Sequence, residues 1–196
     1  FAAEYVIENM VHGVLVGSTV AKGTIQSIDV KEAKSAPGVI DIITHQNTIA
    51  LEKFSDEKKA KEAQLGLRIF YSNEIFSNGQ PVALVVAGHL EQAQYAAGLV
   101  KITYNKAAHA TDFTKAEEKE KATKYDDDKA RGDANAWKTA PVKIEQEYTQ
   151  PIEVHSPMEM HATIAVWDGN DKLTVYDKNH SVKDVQGSIA NAFNLK

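Results

Sequence analysis

The chain has 196 residues, 43% of them hydrophobic and 25% charged, which is room for one good-sized globular domain or two small ones. Its formal net charge of −5, with no basic block, argues against a grip on nucleic-acid phosphates. The absence of cysteine excludes a disulfide framework, a thiolate zinc site and a cysteine-ligated iron–sulfur cluster in this chain, and no apolar run approaches a membrane span.

The first segments are rich in β-branched residues. GVLVGSTV (13–20) and GTIQSIDV (23–30) read as two short strands, KEAKSA (31–36) as a helical turn stopped by Pro37-Gly38, and VIDIIT (39–44) as a third strand. Residues 52–64 are charged with little apolar periodicity and read as a solvated excursion. A turn at Asn78-Gly79 then feeds the apolar run Val82–Ala87, a helix over 90–100 and a strand over 101–104. Leu90, Ala93, Ala97 and Val100 are expected to form the helix's apolar stripe. Residues 114–133 are highly charged and poor in large apolar groups, the composition of a linker or surface helix. Beyond them, 140–149 alternates like a strand and 161–177 reads as a hairpin around Asp168-Gly169-Asn170-Asp171. The last helix, over 181–193, carries Val182, Val185, Ile189 and Phe193 on one face, with Ser181 and Asp184 fitting a capping box. Strands alternating and mixing with packed helices give an α+β or α/β layer.

Few side chains cluster in a way that carries chemistry. His155, Glu159 and His161 in VHSPMEMH (154–161) would share one side of an extended segment, as an N/N/O metal set requires. Pro157 breaks that regularity, and the spacing matches no strong zinc pattern, so a hydrogen-bonded structural corner is the favoured reading. Asp126-Asp127-Asp128 lacks the alternation and glycine of a calcium loop. NGQPVA has one glycine rather than a phosphate cradle, and no Ser/His/Asp set assembles by spacing.

Several segments, in order, resemble one family. VHGVLVGSTVAKGTIQSIDVKEAKSAPGVIDIIT (11–44), FSNGQPVALVVAGHLEQAQYAAGLVKITY (76–104) and RGDANAWKTAPVKIEQEYTQPIEVHSPMEMHATIAVWDGNDKLTVYD (131–177) are similar to successive stretches of the molybdenum-binding large subunit of the xanthine dehydrogenase and aldehyde oxidase family. The bacterial aldehyde oxidoreductase type is the nearest flavour. VHSPMEMH resembles the family's H-x-P-M-E-P-H corner, with Met160 in place of the second proline.

The resemblance implies an α+β fold: an a/b hammerhead domain over 1–112, a charged linker over 113–135, and the beginning of a molybdopterin-binding α/β domain over 136–196. It implies a molybdenum hydroxylase, which oxidises aldehydes or N-heterocycles with water as oxygen source. It also implies molybdopterin cytosine dinucleotide as cofactor and iron–sulfur and FAD subunits as partners, beside the rest of the large subunit. The chain then reads as an N-terminal fragment, expected to bind no cofactor alone and to contain no catalytic residue or metal ligand of its own. The family carries a Thr-Gln pair whose glutamine approaches the molybdenum; aligning YDKNHSVK (176–183) on that motif places His180 there. A ring N–H of His180 retains a hydrogen-bond donor at that position. The rival reading is a non-catalytic scaffold or interaction chain that keeps the hammerhead region. Whether the parent lies in bacterial cytoplasm or periplasm stays open.

Overall fold

A computed structural model describes residues 1–48, 69–117, 129, 131–169, 171–193 and 195. The excursion at 52–64, most of the charged linker and the Asp126–Asp128 run fall outside the described residues. Two compact units divide the chain. One comprises 1–109 with 159–196, the other 110–158.

The larger unit begins with strand β1 (His12–Gly17), strand β2 (Gly23–Asp29), helix α1 (Lys31–Lys34) and strand β3 (Val39–Thr44). The two-residue strand β4 (Glu74–Ile75), strand β5 (Pro81–Ala87), helix α2 (Leu90–Leu99) and strand β6 (Lys101–Lys106) follow. Two antiparallel sheets result, in the orders β1-β5-β3 and β4-β2-β6. β5 is central to the first sheet, and its proline stands at the first position, where a missing N–H costs least. One core surrounds the fully buried Ile42 and Val85, with Ala33, Ala83 and Ala96. A second holds Val20, Ile25, Ile75 and Val82, and Val16 packs against both. Removing a valine or isoleucine side chain from water contributes about 1.5–3 kcal/mol, so these few residues supply much of the unit's driving force.

Most elements match the expected ones to within a few residues. The stripe of α2 differs: Ala93 and Ala96 are its fully buried residues, while Leu90 is 42% exposed. Small side chains let the helix sit close on its sheet, and the larger leucine falls at the helix start, beyond that contact. The turn at Ala36–Val39 has its own logic. Val39 N–H donates to the Ala36 carbonyl, and Gly38 takes φ +81, the third-position conformation of a type II turn after Pro37.

The C-terminal part of this unit is a hairpin of β7 (Ile164–Trp167) and β8 (Leu173–Tyr176), followed by a helix at Val182–Phe193. Gly169 at φ +71 and Asp171 at φ +63 shape the hairpin loop.

The smaller unit contains helix α3 (Phe113–Glu117) and a short 3-10 turn at Ala136–Thr139. With α3 numbered, the helix at Val182–Phe193 is α4. The strand expected over 140–149 is a correction. No strand is assigned there, and Val142, Ile144 and Tyr148 stand 77%, 84% and 89% exposed. Alternation makes a segment fit to be a strand, but a strand also needs a ladder partner, and among the described residues none pairs with it.

Candidate functional site

Of the residues singled out by sequence, Glu159, His161 and His180 belong to the unit that holds the β7–β8 hairpin, and His155 to the other. The hairpin's register pairs Ile164 with Tyr176 and Trp167 with Leu173. One step beyond the Ile164–Tyr176 rung, antiparallel geometry brings residue 163 opposite residue 177. There the Thr163 hydroxyl donates to the Asp177 carboxylate. The other Asp177 oxygen accepts from Asn179 Nδ2 at 3.3 Å, and Asn179 Oδ1 accepts the Ser181 backbone N–H at 3.1 Å. The Thr163 hydrogen bond, foremost, holds the Asp177 carboxyl below its ordinary pKa. Burial opposes it, while the bonds from Asn179 and the Lys178 backbone and the charge of His161 act in the same direction as Thr163.

His180 is exposed, separated from the first residue of α4 by Ser181. Ser181 and Asp184 do meet at that helix start, but side chain to side chain, the serine hydroxyl donating to the carboxylate. Behind the loop, β8 and α4 enclose a groove of about 580 Å³ walled by Leu173, Val175, Val182, Val185, Ile189 and Leu195. The expected apolar face of α4 therefore lines this groove at Val182, Val185 and Ile189, with Val182 still 69% exposed, while Phe193 lies outside the groove and is 47% exposed.

The VHSPMEMH corner is divided between the units, since Met158 closes one and Glu159 opens the second part of the other. Ser156 adopts φ +39, a left-handed conformation uncommon for a residue other than glycine. On the larger unit's side, Glu159 Oε1 accepts the Ala2 N–H at 3.3 Å, and its backbone carbonyl accepts Lys178 Nζ at 2.8 Å. Tyr5 stacks on Tyr176 with ring centroids 5.0 Å apart. Glu159 thus joins the N-terminal residues to the segment leading into His180. Among the described residues, no group of three His, Asp or Glu side chains lies close enough together to hold a metal ion.

Sequence reasoning singled out His180 and the corner but not Thr163, Asp177 or Asn179. The signal that finds them is register: once the hairpin is placed, Thr163 and Asp177 must face each other.

The family model for the aldehyde oxidase and xanthine dehydrogenase a/b hammerhead domain matches residues 1–108, and that for a molybdopterin cofactor-binding domain matches residues 114–196. The chain is 39% identical over 178 residues to the aldehyde oxidoreductase molybdenum-binding subunit PaoC of Escherichia coli, covering 89% of this chain and 23% of that protein. It is 28% identical over 192 residues to human aldehyde oxidase, covering 92% of this chain and 13% of that one. The aldehyde oxidoreductase structure from Desulfovibrio gigas superposes with a TM-score of 0.72 at 20% identity, over 97% of this chain and 22% of that one. That likeness shows a shared α+β fold. The chain spans less than a quarter, 23%, of the length of that PaoC subunit. With both models matched in succession, the chain belongs to the aldehyde oxidase and xanthine dehydrogenase family.

Proposed function

We propose that the chain is the N-terminal part of the molybdenum-binding large subunit of a molybdenum hydroxylase, an oxidoreductase acting on aldehydes or N-heterocycles with water as the oxygen source. The observation that carries this reading is the succession of the two family models along the chain, over residues 1–108 and 114–196. In this reading a hammerhead domain spans 1–112, a linker 113–135 and the beginning of a cofactor domain 136–196, although the cofactor-domain model already begins at residue 114, inside that linker.

The cofactor, molybdopterin in its cytosine dinucleotide form, supplies the redox chemistry when bound, and the protein supplies placement and electrostatics. The donor chemistry at the hairpin end fits such a group. His180 offers at least one ring N–H in either protonation state, and it stands at the start of a 12-residue helix, whose N-terminal amides favour a negatively polarised oxygen. Its role in this reading is to donate a hydrogen bond to an oxygen of the cofactor. Asn179 and Ser181 hold the backbone on either side of it. The aliphatic groove beside α4 packs against the remainder of the subunit. Iron–sulfur and FAD subunits accept the electrons.

Coexpression of the complete reading frame with its partner subunits tests the proposal. The assembled protein should contain molybdenum by mass spectrometry and reduce a dye in the presence of an aldehyde or N-heterocycle. The 196-residue chain alone should contain none. An assembled protein without molybdenum, or near-stoichiometric molybdenum in the isolated chain, overturns it.

A further inference from the structure

We propose that Asp177 is a positioning residue for His180, acting through hydrogen bonds that converge on its carboxylate from Thr163 and Asn179. This inference rests on the reading of His180 as the residue that faces the cofactor.

The residues around His180 are fixed one after another. Asp177 is held across the hairpin by the Thr163 hydroxyl, and so is anchored to β7 as well as to its own strand. Lys178 reaches the Glu159 carbonyl at 2.8 Å. Asn179 bridges, donating to Asp177 at 3.3 Å and accepting the Ser181 N–H at 3.1 Å. Residues 177, 178, 179 and 181 are all tied, and His180 is carried between them.

The chemistry of the hub is specific. Asp177 uses both carboxylate oxygens as acceptors, one for each donor, an arrangement that an ionised carboxylate satisfies and an amide satisfies only in part. A side chain must be held close to its productive position by neighbours if it is to aim a hydrogen bond at a bound group. A loop tied at its flanks gives a histidine that aim without burying it.

Hydrogen-exchange mass spectrometry on the chain and on the assembled enzyme tests this, using Asp177→Ala, Thr163→Val and Thr163→Ser. Thr163→Val removes the hydroxyl at nearly constant shape, and Thr163→Ser restores it. The expected result is exchange about tenfold faster over residues 178–182 in Asp177→Ala and Thr163→Val, with the wild-type rate in Thr163→Ser. Amides of β7 and β8 within the ladder should keep their rates. Unchanged loop exchange in Asp177→Ala, or loop exchange in Thr163→Ser as fast as in Thr163→Val, overturns the proposal, as does equal acceleration throughout the hairpin, which would make Asp177 merely structural. If His180→Ala leaves turnover of the assembled enzyme intact while Asp177→Ala still loosens the loop, the cofactor-facing reading fails and the hydrogen-bond relay stands.

Discussion

The carboxylate of Glu159 accepts the backbone N–H of Ala2, joining residues 157 positions apart. The contact gives the histidine-rich corner a mechanical meaning. Its glutamate is used as a hydrogen-bond acceptor for the N-terminal segment, and its carbonyl as an anchor for Lys178. A side chain committed to holding backbone in place fits a joint between chain segments, the role that the interrupted spacing of His155, Glu159 and His161 already suggests.

Glu159→Ala should therefore loosen the first residues. One such hydrogen bond contributes about 1 kcal/mol, and an aromatic pair like Tyr5–Tyr176 about the same. Amide exchange over residues 2–5 should accelerate in Glu159→Ala and in Tyr5→Ala, with little change in β5. Unaltered exchange in both variants would show that the contacts hold nothing.

Gly38→Ala should destabilise the larger unit by about 1–3 kcal/mol, since a β-carbon must enter a left-handed conformation in a crowded place. At φ +81, that carbon would lie 2.1 Å from Gln92 Oε1, the oxygen that accepts the His89 N–H at the start of α2. Displacing Gln92 also removes that cap. A shift of the urea midpoint reports the loss, and Gln92→Ala in the same background should recover the clash component but not the backbone strain. A midpoint equal to wild type in Gly38→Ala would refute the account.

The pH dependence of stability should carry a signature of His45. Its Nδ1 is buried with no hydrogen-bond partner among the described residues, and burial lowers its pKa from the ordinary value of 6.5. Above that value the ring is neutral folded and unfolded, and contributes no pH dependence. As pH falls below it, the unfolded chain takes up the proton first, so stability is lost until the folded protein also titrates. His45→Leu should lose less stability than wild type between pH 7 and pH 5 in denaturant melts. Parallel curves would show that His45 titrates alike in both states.

Strands such as Val39–Thr44 and Pro81–Ala87 were legible because they carry β-branched runs bounded by Pro-Gly and Asn-Gly turns. Glu74–Ile75 was not, since a two-residue strand has no period to read; it exists because Gln80 bonds the Phe76 N–H and the Glu74 carbonyl, each at 2.8 Å, beside the β2 edge. The segment 140–149 shows the opposite failure. Its alternation is plain, but pairing depends on a partner that no local pattern specifies. Around the candidate site, His180 came from resemblance, whereas Thr163, Asp177 and Asn179 depend on hairpin register, and their types alone would suit any polar surface.

That failed strand makes its own prediction. Residues 143–150 lack a ladder, and every side chain from 141 to 158 is exposed, so amides there should exchange within seconds. The β5 amides, paired on both sides, should be the slowest in the chain. Protection over 143–150 comparable to β5 would mean that the segment finds a partner in solution.

The last expectation concerns His180 itself. A histidine exposed at a helix start, taken alone, is an ordinary surface residue, and its substitution should then change nothing beyond local charge. In the proposed reading it donates to an oxygen of the cofactor in the complete subunit. His180→Gln keeps a donor of the type the family resemblance places there, and turnover should be kept or raised. His180→Ala removes the donor, and loss of one preorganised donor to a reacting or bound oxygen lowers turnover by roughly tenfold to a hundredfold or more. Molybdenum content measured on the same preparations separates loss of donation from loss of cofactor. Equal turnover and equal molybdenum in wild type and His180→Ala would return this histidine to the surface.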